Sequence, residues 1–167
     1  MTRVRRALDR GLGLLLATLM AVAVVNVAWQ VFTRFALAEP SSFTDELARY
    51  LLVWIGLIGA AYAAGQRLHV AVDLLPRAMP HRLQQALSGL VQVGVLTFSL
   101  GVMVGGGGAL VSMSFELGQR SAALGLPMGL VYLALPVSGL LIALYTLLFL
   151  IEALIESPDE PHAEPPR

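Results

Sequence analysis

The apolar and polar residues of this chain fall in long blocks rather than in a short repeat. A helix needs about 20 predominantly apolar residues to cross the hydrocarbon core of a bilayer. Four blocks meet this requirement, and they predict transmembrane helices at about 11–32, 47–64, 86–111 and 124–151. The predicted fold is an all-α integral membrane protein with one four-helix membrane domain over residues 1–151.

The first block follows an arginine-rich start and has to be distinguished from a cleaved signal peptide. Ala21-Val22-Ala23 has the small residues of a cleavage site. The apolar run nevertheless continues to Val31, whereas a signal-peptide core is about 7–15 residues long. We therefore expect a retained transmembrane helix.

Arginine counts predict the orientation. The amino-terminal tail and the loop between helices two and three together carry seven arginines, against three in the other two loops. The positive-inside rule then places both termini in the cytoplasm. Between helices two and three, mixed apolar and charged residues predict a short interfacial segment. The tail 152–167 has five acids and four prolines, which predicts a disordered cytoplasmic end.

Asn26, Gln30 and Arg34 recur every four residues, so they form a polar stripe on helix one. Hydrocarbon does not solvate such groups, which favours a contact line to another helix or subunit. The alternative is that Arg34, near the helix end, extends its guanidinium to water.

Two further groups of polar residues are candidate sites. Asp45, Glu46 and Arg49 open helix two, where Asp45 and Arg49 have ion-pair spacing. This cluster either docks a partner or pairs with Arg34, or it is a solvated helix cap of little energetic weight.

His69 and Asp73 also have a four-residue spacing in the interfacial segment. Zinc normally takes three or four protein ligands, so a hydrogen bond is favoured over a metal site.

Breaks in helix geometry are predicted at two places. The run Gly105 to Gly108 favours a bend in helix three. Pro136 lies in the middle of helix four and predicts a kink, because proline removes a backbone hydrogen bond.

Composition excludes several functions. The chain has no cysteine, its charged residues make up 13%, and its net charge is +0, which gives no basic face for nucleic acid. No acidic residue lies in the middle of a predicted span, so a proton-coupling carboxylate is missing. The histidines lie outside the spans, and no nucleophile stands beside a base. We expect no enzyme activity, no cofactor and no metal site.

An ordered set of short motifs resembles the small permease subunit of TRAP transporters, the DctQ-like family. The resemblance covers roughly residues 8–150, with Phe43 where the family more often has tryptophan. The motifs are Val31-Phe32-Thr33-Arg34, the run from Ser42 to Tyr50, Val53-Trp54, Gly59-Ala60-Ala61, the run from His69 to Leu74, Leu126-Pro127-Met128, Tyr132 and Pro136.

The resemblance implies a subunit that works with other proteins. In this family a large permease carries the substrate and sodium sites, and a periplasmic protein delivers an organic acid. The small subunit is expected to extend the scaffold of the large permease and to help dock the binding protein, in contact with membrane lipids. Two alternatives stay open: a small homo-oligomeric transporter, which the missing carboxylate disfavours, and an accessory subunit of another membrane complex.

Overall fold

A computed structural model describes residues 2–36, 42–66 and 81–155. Within these ranges the chain forms four long helices, each apolar enough to cross a membrane. Residues 67–80 of the predicted interfacial segment, which include His69 and Asp73, lie outside the described residues, and so does the tail beyond residue 155. The chain is therefore a multi-pass membrane protein, as its apolar blocks predict.

The four helices are numbered α1 to α4, and two of them contain more than one helical segment. They are α1 (Thr2–Ala36), α2 (Ser42–Gly65), α3 (α-helix His81–Phe98, π-helix Ser99–Gly106 and α-helix Gly107–Glu116) and α4 (Met128–Tyr132 followed by Ala134–Ile155).

The helices differ from the predicted spans mainly at their ends. The first three begin before and end after the apolar blocks, because a helix keeps its backbone hydrogen bonds where it leaves the hydrocarbon. Helix α4 begins later than the predicted residue 124: Leu124 and Leu126 are apolar but lie in a loop, and the helix starts only after Pro127. It continues to Ile155, four residues into the predicted tail.

Helices α1 and α2 run antiparallel, and two polar contacts fix their register. The Asn26 side-chain amide donates from Nδ2 to the Thr44 carbonyl oxygen at 2.8 Å. Near the other end, Arg5 donates from its guanidinium to the Gly65 carbonyl oxygen, also at 2.8 Å. The two contacts are separated by the same number of residues on each helix, so α1 and α2 stay in register between them.

The core lies where α1, α2 and α4 meet. Leu12, Ile58 and Tyr145 are buried there, and Tyr145 has no exposed surface. The Tyr145 ring packs closely against Gly65, where a Cβ atom would stand 2.5 Å from the ring. Helix α4 is the central helix: 33% of its most apolar stretch is buried, against 11% for α1 and for α3.

Helices α3 and α4 approach each other through glycine. A Cβ atom on Gly139 would stand 2.6 Å from Met103 Cβ and 3.0 Å from the Ser99 carbonyl oxygen. Both neighbours belong to the π-helix, which ends within the run Gly105 to Gly108 in which we expected a bend and includes its first two glycines. Such wide turns are rare and mostly short in proteins. The glycine therefore lets α4 pack against an irregular surface of α3.

The predicted kink in α4 is a break at Leu133, three residues before Pro136. Proline has no N–H, and its ring crowds the carbonyl four residues earlier, which is that of Tyr132. The Tyr132 carbonyl oxygen therefore accepts no hydrogen bond from residue 136, whereas Leu133 keeps its regular bonds to Gly129 and from Val137.

Candidate interaction site at one rim of the helix bundle

The loop between α3 and α4 is closed by its own hydrogen bonds. The Ser121 N–H donates to the Leu126 carbonyl oxygen at 2.8 Å, and the Met128 N–H donates to the Gln119 carbonyl oxygen at 2.9 Å. Ser121 Oγ also accepts the N–H of Leu126, and Ser121 is buried. The loop thus forms a compact turn rather than an open connection.

Glycine makes the two bends of this loop possible. Gly118, just after α3, has a φ of +60°, and Gly125 has a φ of +65°. This left-handed region is open to glycine and unfavourable for residues with a Cβ atom. The bends leave the turn from Ala122 to Leu124 at the rim of the bundle, with Ala122 and Ala123 exposed.

Three consecutive backbone N–H groups of this turn point at the carboxylate of Glu46 in the first turns of α2. Ala122 donates to Oε1 at 3.0 Å, Ala123 donates to Oε2 at 2.9 Å, and Leu124 donates to Oε2 at 2.8 Å. Successive backbone N–H groups in a turn form a concave site for an anion. Here the anion is a side chain of the same protein.

Tyr50, one turn further along α2, completes the arrangement. Its hydroxyl donates to Glu46 Oε1 at 2.8 Å and lies 3.3 Å from Met128 Sδ at the start of α4. Both carboxylate oxygens of Glu46 therefore have two donors each. An ionised carboxylate only accepts hydrogen bonds, so this environment matches its charged form.

Asp45 and Arg49 lie beside this arrangement and form the ion pair that their spacing suggests. Their side chains are 54% and 73% exposed, respectively. Water therefore screens the pair, and exposed pairs contribute about 0–1 kcal/mol. Together, Asp45, Glu46, Arg49, Tyr50 and the loop 117–127 are called the rim cluster below.

The rim cluster surrounds an open cavity of about 320 Å³. The lining combines three charged side chains, two hydroxyl groups and the backbone of the loop. Its residues are Ser42, Asp45, Glu46, Arg49, Tyr50, Ala122 and Ala123. This cavity is more polar than the one between α1 and α2 described below, and it lies at one end of the bundle rather than inside it.

The predicted polar stripe on α1 has different environments at its two ends. Asn26 is 8% exposed and bonds to α2, as described above. Gln30 is half-buried, and its carbonyl oxygen accepts the Thr33 hydroxyl at 3.0 Å. Arg34 is exposed, and within the described part of the chain it forms no ion pair with Asp45 or Glu46.

A second, apolar cavity of about 440 Å³ lies between α1 and α2 near the same rim. Its polar groups come from Asn26 and Thr44, and the Asn26 amide is bonded to the Thr44 carbonyl. The lining residues are Ala21, Val22, Val25, Asn26, Trp29, Phe43, Thr44 and Leu47. The cleft therefore suits an apolar group such as a lipid chain or a large side chain of another protein.

The opposite end of the bundle holds a polar network that sequence patterns do not reveal. The Tyr145 hydroxyl donates to Asp9 Oδ1 at 2.7 Å, and the Arg5 guanidinium lies 4.8 Å from the centre of the Phe149 ring. Asp9 and Tyr145 are 136 residues apart, so no local spacing connects them. This network ties the start of α1 to α4.

The described residues contain no group of three or more metal-ligating side chains. The contacts of the rim cluster hold the loop 117–127 against α2 and place charged side chains at its surface. The fold and this rim define a class: multi-pass membrane proteins with a polar, charged rim at one end of the bundle.

Residues 23–156 match the family described as "Tripartite ATP-independent periplasmic transporters, DctQ component". This match covers most of the chain, so the protein belongs to that family of membrane transporter components. The resemblance noted from the sequence motifs is thereby confirmed.

Curated relatives include small permease proteins of the same transporters. The chain is 30% identical over 126 residues to the sialic acid TRAP transporter small permease protein SiaQ of Vibrio cholerae, covering 72% of this chain and 68% of that protein. It is 29% identical over 166 residues to the C4-dicarboxylate TRAP transporter small permease protein DctQ of Rhodobacter capsulatus, covering 80% and 72% respectively.

A third relative is much longer than this chain. The isethionate TRAP transporter permease protein DctMQ of Oleidesulfovibrio alaskensis is 33% identical over 101 residues. The match covers 60% of this chain but only 16% of that protein. The region similar to this chain is therefore a small part of a larger permease polypeptide.

Proposed function

We propose that this chain is the scaffold subunit of a TRAP transporter that takes up an organic acid with an ion gradient, most simply sodium. In this proposal it enlarges the fixed part of a large permease subunit and helps to dock a periplasmic binding protein. The observation that carries the proposal is the family match over residues 23–156. The contacts of the chain support each part separately.

The scaffold role is supported by the surface of α1. Its large apolar side chains are exposed along most of its length, including Leu14 at 72%, Val25 at 69% and Phe35 at 81%. Lipid or the helices of another subunit provide the apolar contacts that such a surface needs. The long DctMQ relative supports a large permease as that partner, because there the similar region is part of a larger permease protein.

The spans lack the acidic side chains that ion-coupled transport commonly uses. This supports the assignment of ion coupling to the large permease subunit. No acidic residue lies in the middle of an apolar span of this sequence. Intramembrane carboxylates are the usual groups of proton and ion pathways. We therefore assign the substrate and sodium sites to the large permease subunit.

The proposed cargo class comes from the relatives. The names of three of them specify sialic acid, C4-dicarboxylates and isethionate, all of which are organic anions. We infer that this transporter also carries an organic acid.

The proposed location is the bacterial inner membrane with both termini in the cytoplasm. Reporter fusions after Pro40 and after Gly118 should then report the periplasm. Fusions after Pro76 and at the tail should report the cytoplasm. A periplasmic signal after Pro76 contradicts this topology. With this orientation the rim cluster faces the periplasm, where a binding protein reaches it.

The scaffold assignment is tested by reconstitution in liposomes. The chain alone should move no organic acid under a sodium or proton gradient, and uptake should require the large permease and the binding protein. Gradient-driven uptake by the chain alone would instead identify a stand-alone transporter. Copurification with a membrane complex that contains no large TRAP permease would identify an accessory subunit of that complex.

The docking role is tested by reversing the exposed ion pair of the rim cluster. Because Asp45 and Arg49 are largely exposed, Arg49→Glu and Asp45→Arg should change the stability of the chain by at most about 1 kcal/mol. Any loss of uptake at normal complex yield then reports docking rather than folding. Partial recovery of uptake in the double variant Asp45→Arg, Arg49→Glu supports direct pairing of the two residues. Normal uptake by both single variants shows that the pair is not part of the docking surface.

A further inference from the structure

Glu46 makes contacts that neither the proposed function nor its local spacing explains. Its carboxylate bonds to three backbone groups that lie 76 to 78 residues further along the chain. The other loop hydrogen bonds described above lie within the loop or join it to the adjoining helix ends. Glu46 is thus the side chain that fastens the exposed turn 122–124 to α2.

The chemistry of this contact requires a carboxylate of this length. Glutamine has the same size, but its amide NH₂ group is a donor. That group would face backbone N–H donors and could not accept hydrogen bonds from them. Aspartate is one methylene shorter, so its carboxylate would not reach the N–H groups of the turn. Hydrogen bonds to an ionised acceptor are also stronger than bonds between neutral groups.

We propose that Glu46 is a positioning residue that locks the loop 117–127 in one conformation, and that this locked rim determines how readily the binding protein engages the transporter. The second half of this inference rests on the proposed docking function, whereas the first half does not. A loop that is ordered before association loses less conformational freedom on binding. Fixing the loop therefore favours association without any contact between Glu46 and the partner.

The locked loop also fixes the spacing of the rim charges. The Arg120 guanidinium is exposed and donates to the Gly125 carbonyl oxygen within the loop at 3.3 Å. Asp45 and Arg49 lie on α2, the helix that carries Glu46. Release of the turn would let Arg120 move relative to these two charges. Electrostatic complementarity depends on such spacing and mainly affects association rate and specificity.

The first test measures the loop itself in the assembled transporter. The sequence contains no cysteine, so Ala122→Cys provides a single position in this chain for a nitroxide spin label, and its side chain is exposed. The label should be immobile in the parent and mobile in Glu46→Gln and Glu46→Ala. Asp45→Asn is the matched control, because it removes a neighbouring charge without touching the loop, and it should leave the label immobile.

Added acetate sharpens this test, because it supplies the carboxylate that Glu46→Ala removes. Acetate should reduce the label mobility of Glu46→Ala more than an equal concentration of chloride does. If Glu46→Ala does not assemble, Glu46→Gln preserves the side-chain volume and decides the question. A label that stays as immobile in Glu46→Gln as in the parent overturns the proposal.

The second test separates docking from transport. Uptake is measured in liposomes against the concentration of binding protein. For Glu46→Gln, the binding-protein concentration at half-maximal uptake should rise about tenfold, the size expected when hydrogen bonds to a charged group are lost. The maximal uptake rate should stay near that of the parent, whereas a general loss of structure would lower it.

The outcomes distinguish the two levels of the proposal. If the parent transporter takes up substrate equally well without a binding protein, the docking function itself fails, whatever the loop does. If the parent needs the binding protein but Glu46→Gln reaches half-maximal uptake at the same binding-protein concentration as the parent, the inference about Glu46 fails. The proposed docking function then still stands. A drop in maximal rate with no change in half-maximal concentration also overturns it.

Discussion

Replacing Gly139 with alanine should separate α3 from α4. The added Cβ atom would stand 2.6 Å from Met103 Cβ, 3.0 Å from the Ser99 carbonyl oxygen and 3.2 Å from Val104 Cγ2. Carbon atoms in contact normally lie about 3.5–4.0 Å apart. Helix α4 must therefore move away by about 1 Å, and the obstacle includes backbone that has no rotamer to change.

The size of the effect follows from two opposing contributions. Forcing extra volume into a packed interface costs about 1–3 kcal/mol. Alanine returns up to about 1 kcal/mol relative to glycine through its helix propensity. The control is Gly94→Ala on α3, where nothing lies within 4 Å of the new Cβ atom. That variant receives the propensity gain alone, so the difference between the two variants isolates the packing cost.

The assay is the free energy of unfolding in bicelles, measured by titration with sodium dodecyl sulfate. Gly139→Ala should be less stable than Gly94→Ala by about 1–3 kcal/mol. If the two variants are equally stable, the close approach of α4 to the π-helix is not a feature of the folded protein.

Three further predictions use the same assay. Asn26→Ala removes the hydrogen bond to the Thr44 carbonyl and should destabilise the protein by about 0.6–1.7 kcal/mol, from the average to the largest value for such bonds between membrane helices. If stability is unchanged, the bond does not hold α1 to α2. Tyr145→Phe keeps the buried ring but removes the hydroxyl that donates to Asp9, so the free energy of unfolding should fall by about 1–2 kcal/mol. Unchanged stability would show that this hydrogen bond does not stabilise the fold. The Cβ atom that Gly118→Ala adds has no atoms within 4 Å. The expected loss of stability of about 1–2 kcal/mol therefore comes from the left-handed backbone alone. A variant as stable as the parent would mean that residue 118 does not adopt this left-handed conformation in the folded protein.

The four spans could be predicted from the sequence because apolar length is a local property. The pair Asp45–Arg49 is local as well, since four-residue spacing puts both side chains on one helix face. The contacts of Glu46 with the loop and of Tyr145 with Asp9 could not be predicted in this way. Their partners lie 76 or more residues away, and no periodic pattern records which loop meets which helix.

Irregular helix geometry was only partly visible in the sequence. Pro136 predicts a break because proline has no N–H to donate to the carbonyl four residues earlier, that of Tyr132. The glycine run indicates that α3 departs from regular geometry but does not specify a π-helix. The π-helix lies mostly before the run, where Ser99 and Met103 pack against α4. Its position depends on packing between helices rather than on local propensity.

The register of α1 and α2 has a consequence for membrane depth. Arg5 and Asn26 mark the two polar contacts between these helices, and 21 residues at 1.5 Å each separate them by about 32 Å along α1. The hydrocarbon core is about 30 Å thick, so with both helices along the membrane normal these contacts lie near its two boundaries. Helix α1 continues for ten residues past Asn26, to Ala36, or about 15 Å further. Trp29 then falls in the headgroup region, where tryptophan is enriched, and Arg34 reaches phosphate and water without crossing any hydrocarbon.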